Sequence, residues 1–474
     1  MGRYLYLMKN IGLLTLSNFA TKLISFFLVP LYTNILTTTQ YGTYDLFNTS
    51  IGLLIPIVTL NIQEAVIRFP MDNKYDRKSV ISIGMKYFFI GTGIVSIGLV
   101  INYICSFSEI IKHYTVFFLL MYISQSLIGI ILGYVRGIDK ITILSISSVL
   151  SSVVTIGCNI LFLLVFKWGL IGYFLANIVG PIFQAFYIII RANIYKEIKI
   201  IKCISSEEQE MVSYSKPMIA NSVAWWVNNT SDRYIVIFFC GLAQNGIYSV
   251  ASKIPSILNI VQLIFSQAWT LSVVKDFDKD DKDGFFANTY KVYNCIMVVC
   301  CSAIIMGDKI LARFLYAKEF YAAWKYVPWL TIAIVFGALS GYIGGFFSAV
   351  KKSKIFAQST IVGAIINIIL NIILTPIMGA LGAAIATTVC YFVTWIFRYI
   401  HSRKIVRLQI NLCRDIISYI LLIIQSCALL MLNDKNIVFC MELVIFSVIV
   451  LLYSKNILWI FKKGIKTVRN RQKY

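Results

Sequence analysis

The sequence predicts an all-α integral membrane protein of about 14 transmembrane helices, arranged as two parallel-repeat six-helix bundles plus two C-terminal helices. Three observations carry this expectation. Apolar stretches of spanning length recur from residue 11 to about residue 457, the connectors between them alternate between Lys/Arg-rich and nearly uncharged, and short motifs recur in the same order in two successive blocks. Composition agrees: 59% of the 474 residues are hydrophobic, 14% are charged, and the mean hydropathy is +0.79. A soluble chain of this length would need a more polar surface.

A spanning helix takes about 20 mainly apolar residues. The first six candidates are Ile11–Tyr32, Thr43–Gln63, Val80–Cys105, Val116–Val135, Ser145–Phe166 and Leu170–Ile190. After a stretch rich in Lys and Glu come Ser213–Phe238, Gly246–Val273, Ala287–Met306, Val327–Val350, Phe356–Leu374 and Gly379–Tyr399. Two more follow, Ile416–Met431 and Ile437–Leu458. Residues 1–190 are thus expected to form an N-terminal six-helix bundle, 191–212 a cytoplasmic linker and 213–400 a C-terminal six-helix bundle. Residues 401–474 supply the two additional helices and a basic cytoplasmic tail.

Connector charge gives an independent reading of topology. Basic residues gather in the N-terminal run (Arg3, Lys9) and in every even connector, for example Arg68, Lys74, Arg77 and Lys78, then Arg191, Lys196, Lys199 and Lys202. The same holds for Lys351-Lys352-Ser353-Lys354, for Arg398, Arg403, Lys404 and Arg407, and for the tail from Lys462 to Lys473. The odd connectors Thr33–Tyr41 and Cys240–Asn245 carry no charge, whereas Asp308–Lys325 is an exception with several basic residues. The positive-inside bias therefore places both termini and the even connectors in the cytoplasm, which requires an even number of spans.

A net charge of +22 needs no nucleic acid to explain it, since orientation beside anionic lipid accounts for scattered basic residues that form no nucleic-acid-binding motif. No cleavable signal peptide is expected, because the first apolar run is long enough to span. Cys158, Cys295, Cys300 and Cys301 sit in apolar stretches and read as packed small hydrophobes. With only His113 and His401, no histidine-rich metal site is expected, and no Walker A sequence is present. No catalytic residues, metal or organic cofactor are expected.

The first twelve spans read as two related blocks. Gln40-Tyr41-Gly42-Thr43-Tyr44 opens span two and Gln244-Asn245-Gly246-Ile247-Tyr248 opens span eight. Gly169-Leu170-Ile171-Gly172 opens span six and Gly379-Ala380-Leu381-Gly382 opens span twelve, with Lys140-Ile141 and Lys354-Ile355 between them in each block. Six is even, so the copies enter the membrane from one side and the repeat is parallel. Two such bundles, related by an axis along the membrane normal, leave a cavity suited to alternating access. A channel would call for a carbonyl filter or a charged pore ring, and neither is visible.

Charges inside the spans point to function. A charge at the bilayer centre costs about 2.5–3.5 kcal/mol on an insertion scale, so it should face protein, water or an interface. Lys22, Arg233 and Lys253 lie deep in spans one, seven and eight and are expected to face a cavity. Asp45, Glu64, Arg68 and Lys86 lie nearer span ends, and for Asp45, Arg68 and Lys86 snorkelling to the interface competes with a cavity role. A basic hydrated cavity favours an anionic headgroup such as phosphate or pyrophosphate. Asp232, Asp45 and Glu64 are the candidates for charge pairing or coupling; Asp232, adjacent to Arg233 on one helix, projects in a different direction. Asn18, Asn221, Asn228 and Asn229 are candidates for sugar hydroxyls, and Trp225, Trp226 and Trp269 for sugar faces. Interface anchoring and packing explain the tryptophans equally well. Pro30, Pro56, Pro217 and Pro255 fall in the first two spans of each block, and Pro255 is the clearest candidate for a bend.

The stretch Asp232-Arg233-Tyr234-Ile235-Val236-Ile237-Phe238-Phe239, followed by Gly241 and Gly246-Ile247-Tyr248-Ser249-Val250-Ala251-Ser252-Lys253, resembles the polysaccharide transporter (O-antigen and capsule repeat-unit flippase) family of the multidrug/oligosaccharidyl-lipid/polysaccharide exporter superfamily. Gln40-Tyr41-Gly42-Thr43-Tyr44 and the twelve-plus-two organisation fit it too, so the resemblance covers essentially the whole chain. It implies flipping of an undecaprenyl-pyrophosphate-linked oligosaccharide from the cytoplasmic to the outer leaflet of a bacterial inner membrane. An ion gradient or the membrane potential would drive this, and polymerase, ligase and glycosyltransferase partners would act before or after it. Each chain already holds two bundles, so a monomer is the expected working unit. Rival readings are a lipid II flippase, a cation-coupled multidrug exporter and a polyprenyl-dependent membrane glycosyltransferase. The deep positive charge weighs against cationic drugs, and the short basic loops weigh against glycosyl transfer.

Overall fold

A computed structural model describes residues 25–459 apart from 73, 199–205, 276, 351 and 433, together with residues 12, 15, 19 and 21–23. Most of the first expected span, Asn18, and the basic residues Arg3, Lys9, Lys199, Lys202, Lys351 and those from Lys462 to Lys473 lie outside the described residues. Among the described residues all regular structure is helical. Eleven helices among the described residues are long and apolar enough to cross a membrane, and twelve if one bent pair counts as a single crossing. The protein is therefore an all-α, multi-pass membrane protein.

The chain forms two compact units, Met1–Tyr234 with Leu242–Gly246, and Ile235–Gly241 with Ile247–Tyr474. In the first unit, α1 (Val29–Ile35) is followed by α2 (Thr38–Val58). Gln40 of the first motif copy has a local role here: the Thr37 hydroxyl accepts from the Gln40 N–H at 3.2 Å, while the Thr37 N–H donates to Gln40 Oε1 at 3.0 Å. This capping box satisfies two of the amides that a helix start leaves open. Leu60 and Asn61, both with φ 52°, stop α2, and the chain turns by 69° into α3 (Ile62–Arg68). The helix expected as the second span is thus interrupted and bent at this point.

Next come α4 (Arg77–Cys105), the short α5 (Glu109–His113) and α6 (Thr115–Gly137). They lead to α7 (Ile141–Asn159), which continues as a π-helical turn over Ile160–Val165, and then to α8 (Gly169–Arg191). Phe47, Phe118, Tyr122 and Phe174 fill one core of this unit, and Val66, Ile81, Ile131 and Ile188 a second. In lipid such packing is held by close contact rather than by expulsion of water.

The helix α9 (Ser206–Ala251) is two helices joined at Gly241, whose φ of 84° and ψ of 173° are non-helical. Its first part begins seven residues before the expected Ser213. Glu207 and Glu208 lie in its first turn, where negative charge is favourable. Glu208 is buried and holds Lys86 Nζ at 2.9 Å, with the Tyr87 hydroxyl donating at 3.2 Å. Part of the expected linker is therefore helix anchored by a buried ion pair.

In the second unit the expected span eight is interrupted. Helix stops at Ala251 and restarts at Ser256, because Pro255 has no N–H to offer the carbonyl of Ala251. The restart, α10 (Ser256–Lys275), precedes α11 (Phe285–Leu315) and α12 (Val327–Ala349). The remaining helices are α13 (Ser353–Met378), α14 (Ala380–Ser402), α15 (Leu412–Met431) and α16 (Lys435–Leu452). The most apolar stretch of α12 is 72% buried, against 11% for the helix Ile141–Val165, so α12 is the central element of its unit. Trp269, Tyr342, Phe336 and Trp395 pack in this core. Trp269 stacks on Tyr342 at 4.0 Å and its indole N–H donates to the Tyr342 carbonyl, so it packs in the core of this unit. Cys295 and Cys301 are buried free thiols.

Asp281 starts α11: its two oxygens accept from the N–H groups of Phe286 at 2.9 Å and Ala287 at 2.8 Å. Asp281→Ala is expected to lower stability by about 1 kcal/mol, as loss of a helix cap usually does. Thermal unfolding of the detergent-purified chain measures it.

Candidate functional site

The site in the first unit begins at Gly42. A Cβ there would fall on the carbonyl oxygen of Leu242, and a Cβ on Gly246 would fall on the carbonyl oxygen of Thr38. The two copies of the Gln-x-Gly motif therefore press against each other, backbone to backbone, which only glycine permits. That approach brings Asn245 within reach of α2, and its amide donates to Asp45 Oδ2 at 3.1 Å. Arg233 Nη1 donates to Asp45 Oδ1. Asp45 is 4% exposed, so both oxygens of a buried carboxylate are engaged, one by a charge and one by an amide.

Further bonds tie α2 to α9 in antiparallel order. The Ser50 and Tyr234 hydroxyls are 2.5 Å apart, the Trp226 indole donates to the Thr49 carbonyl at 2.9 Å, and the Asn61 amide donates to Ser222 Oγ at 3.0 Å. Trp226 also packs on Tyr234, with ring centres 5.5 Å apart.

Of the residues singled out from sequence, the structure brings Asp45, Arg233 and Trp226 into one cluster. Asp45 and Lys86 do not snorkel: each has a partner inside the protein, Arg233 and Glu208 respectively. Burial explains the change, because a carboxylate or ammonium sheltered from water needs an opposite charge. Asp232 is buried, but its Oδ1 accepts the Arg233 backbone N–H at 2.9 Å. Asn228 and Asn229 donate to the carbonyls of Ala224 at 3.1 Å and Trp225 at 2.7 Å. Asn221 and Trp225 are exposed, as are Arg68 at the end of α3 and Lys22, while Glu64 is half-buried. Lys253 is half-buried in the turn after α9, in the second unit.

Other buried polar groups were not legible as such. Arg398, grouped above with the cytoplasmic connector charges, is 5% exposed. It donates to Ser359 Oγ at 2.8 Å, the Ser340 carbonyl at 2.9 Å and Thr360 Oγ1 at 3.0 Å, and lies 4.1 Å over the Phe356 ring. Asp308, expected in a connector, is a fully buried residue of α11, which extends to Leu315 rather than ending near Met306. Asn245 stood inside a quoted motif, and that motif was the available signal. Among the described residues no group of three or more His, Cys, Asp or Glu is placed to hold a metal ion.

This architecture is that of the multidrug/oligosaccharidyl-lipid/polysaccharide exporter (MOP) superfamily, a class of membrane transporters rather than enzymes. Residues 7–274 match the family model described as polysaccharide biosynthesis protein, and the chain belongs to that family. Among solved structures, the lipid II flippase MurJ in an inward closed conformation superimposes with a TM-score of 0.71 at 14% identity, covering 95% of this chain and 98% of that one. An inward-facing MATE-family multidrug resistance transporter gives a TM-score of 0.64 at 13% identity, covering 82% and 95%. A MOP transporter from Pyrococcus furiosus, described as having a binding pocket of reverse polarity, gives 0.53 at 12%, covering 85% and 94%. At such identities the likeness concerns the fold. No curated protein sequence matches the chain.

Proposed function

We propose that the protein flips an undecaprenyl-pyrophosphate-linked oligosaccharide repeat unit, of the O-antigen or capsule kind, from the cytoplasmic to the outer leaflet of a bacterial inner membrane. The full chain crosses fourteen times with both termini cytoplasmic, as two parallel six-helix blocks and a C-terminal pair. It works by alternating access, drawing on an ion gradient or the membrane potential, as a monomer that receives its cargo from glycosyltransferases and passes it to a polymerase or ligase. The observation that carries this reading is the buried Asp45–Arg233–Asn245 cluster, which lies within the family-matched residues.

Arg233 takes a different part from a waiting cargo cation. A pyrophosphate is a stronger competitor for a guanidinium than a carboxylate already shared with an amide, so the headgroup displaces Asp45 and loosens α2 from α9. Lys22, Lys253 and Arg68 supply further charge to the anionic head, and Asn221, Asn228, Asn229, Trp225 and Trp226 meet the glycan.

Proteoliposomes loaded with the lipid-linked glycan test this, with a membrane-impermeant reagent reporting its appearance in the opposite leaflet. Charge removal in Lys22→Gln/Lys253→Gln is expected to slow movement at least tenfold, corresponding to about 1.4 kcal/mol. Unchanged transport in that variant would sink the cargo role of the two lysines. Because the fold is shared with a lipid II flippase and with multidrug transporters, parallel lipid II and cationic-drug arms should show no movement. The cargo should emerge covalently unchanged, which separates transport from glycosyl transfer. In a deletion strain, mass analysis of the accumulated lipid identifies the repeat.

A further inference from the structure

Asp308 on α11 is fully buried, and among the described residues neither of its carboxyl oxygens has a hydrogen-bond partner. Glu442, 1% exposed, lies on α16, which packs against α11. Glu442 Oε2 accepts from Gln425 Nε2 at 2.6 Å, while its Oε1 has no partner. Gln425 on α15 is fixed in turn: its Nε2 also donates to the Ser302 carbonyl at 3.2 Å, and its Oε1 accepts from Ser302 Oγ at 2.8 Å. Both amide hydrogens and the Ser302 hydroxyl are therefore spent. Three carboxyl oxygens remain unanswered in a fully dry setting, a costly arrangement for ionised groups.

The surrounding charges do not balance the pair. Lys309, next to Asp308, is half-buried and lies 4.6 Å over the Trp324 ring from the segment Lys318–Lys325. That segment also bears Lys318, Glu319 and Lys325, and α11 adds Arg313, which is exposed. The sequence of α12 carries no charge, and α10 has only Lys275 at its end. On α15, Arg414 and Asp415 pair with each other at 3.0 Å, ten residues or about 15 Å along the helix from Gln425. Lys435 stands at the start of α16. Two buried acids thus face one nearby lysine, leaving a deficit of one positive charge.

We propose that Asp308 and Glu442 form a proton-binding site in the second unit, one of the two carboxylates taking a proton from water. Three free carboxyl oxygens fall short of the roughly six that hard metal cations gather, so the small cation that fits is the proton. Binding converts one carboxylate to a carboxylic acid, and release returns the proton to water. Linking that cycle to cargo movement rests on the function proposed above.

Infrared difference spectroscopy on the full-length chain in lipid nanodiscs decides the binding step without any cargo. Wild type should show a carboxylic-acid carbonyl band that fades as pH is raised. The band should vanish in Asp308→Asn and weaken or shift in Glu442→Gln. Asp308→Glu should keep a band at altered frequency, which separates loss of the acid from misfolding. A spectrum unchanged by Asp308→Asn, or a band moved by sodium and not by pH, overturns the proposal. In the transport assay, an imposed pH gradient should change the wild-type rate about fivefold or more and leave Asp308→Asn unaffected. Equal responses overturn the link to transport. A wild type that moves no glycan overturns the proposed function instead, and the carbonyl band still reports on the site.

Discussion

Asp45→Ala is expected to destabilise the first unit by about 3 kcal/mol and to abolish transport. The variant leaves the Arg233 guanidinium, whose side chain is 22% exposed, in a largely dry setting without its carboxylate, and it strands the Asn245 amide. Removing one member of a buried pair typically costs about 3–5 kcal/mol, and the partial exposure of Arg233 places this case at the lower end. Arg233→Gln should be nearly as harmful, because a buried carboxylate would lose the guanidinium charge paired with it. The double variant Asp45→Ala/Arg233→Gln removes both charges and should recover about 2 kcal/mol relative to the sum of the single changes. Exchange of the two residues should not rescue, since Asn245 would then present its N–H groups to a guanidinium. Thermal unfolding of the four proteins completes the cycle, and simple additivity would mean that the ion pair contributes nothing.

Gly246→Ala is expected to be at least as severe, about 3 kcal/mol or outright loss of folded protein. The added methyl meets the Thr38 carbonyl, which is backbone inside a helix and has no rotamer to change. The helices must separate, and overpacking of that kind generally costs about 1–3 kcal/mol before other contacts are counted. Separation also withdraws Asn245 from Asp45. Gly42→Ala should behave alike, against the Leu242 carbonyl. Gly93→Ala is the control: a Cβ there meets nothing within 4 Å, and alanine in a helix should be neutral or slightly stabilising. Equal effects at Gly93 and Gly246 would show that the close contact does not matter.

Much of the fold was legible because lipid imposes a simple rule on sequence. Stretches such as Ile437–Leu458 are apolar over a full crossing, and the structure places a helix there with only the ends moved. The two Gln-x-Gly motifs were visible as a repeat, but nothing in a linear pattern says that the copies touch. Partners were the main omission. Asp45 and Arg233 lie 188 positions apart, so hydropathy registers each as an isolated charge and assigns it to an interface or to cargo. Asp308 was misplaced for the opposite reason: Lys309 and Arg313 beside it give the segment a loop-like composition, yet helical packing turns the acid inward while Arg313 stays exposed. The break at Ser252–Pro255 was announced by proline, whereas the one at Leu60–Asn61 carries no glycine and lies beyond Pro56.

The five residues Leu242–Gly246 belong to the first unit although the chain enters the second unit on either side of them. A ribosome delivers sequence in order, so the N-terminal half cannot be finished when its own helices have entered the membrane. It must wait, with Asp45 lacking Asn245, until the next crossing and the turn at Gly241 have been synthesised. Biogenesis is therefore interlocked: the second half begins to assemble before the first is closed, and a truncation before residue 242 removes the clasp rather than releasing a finished domain.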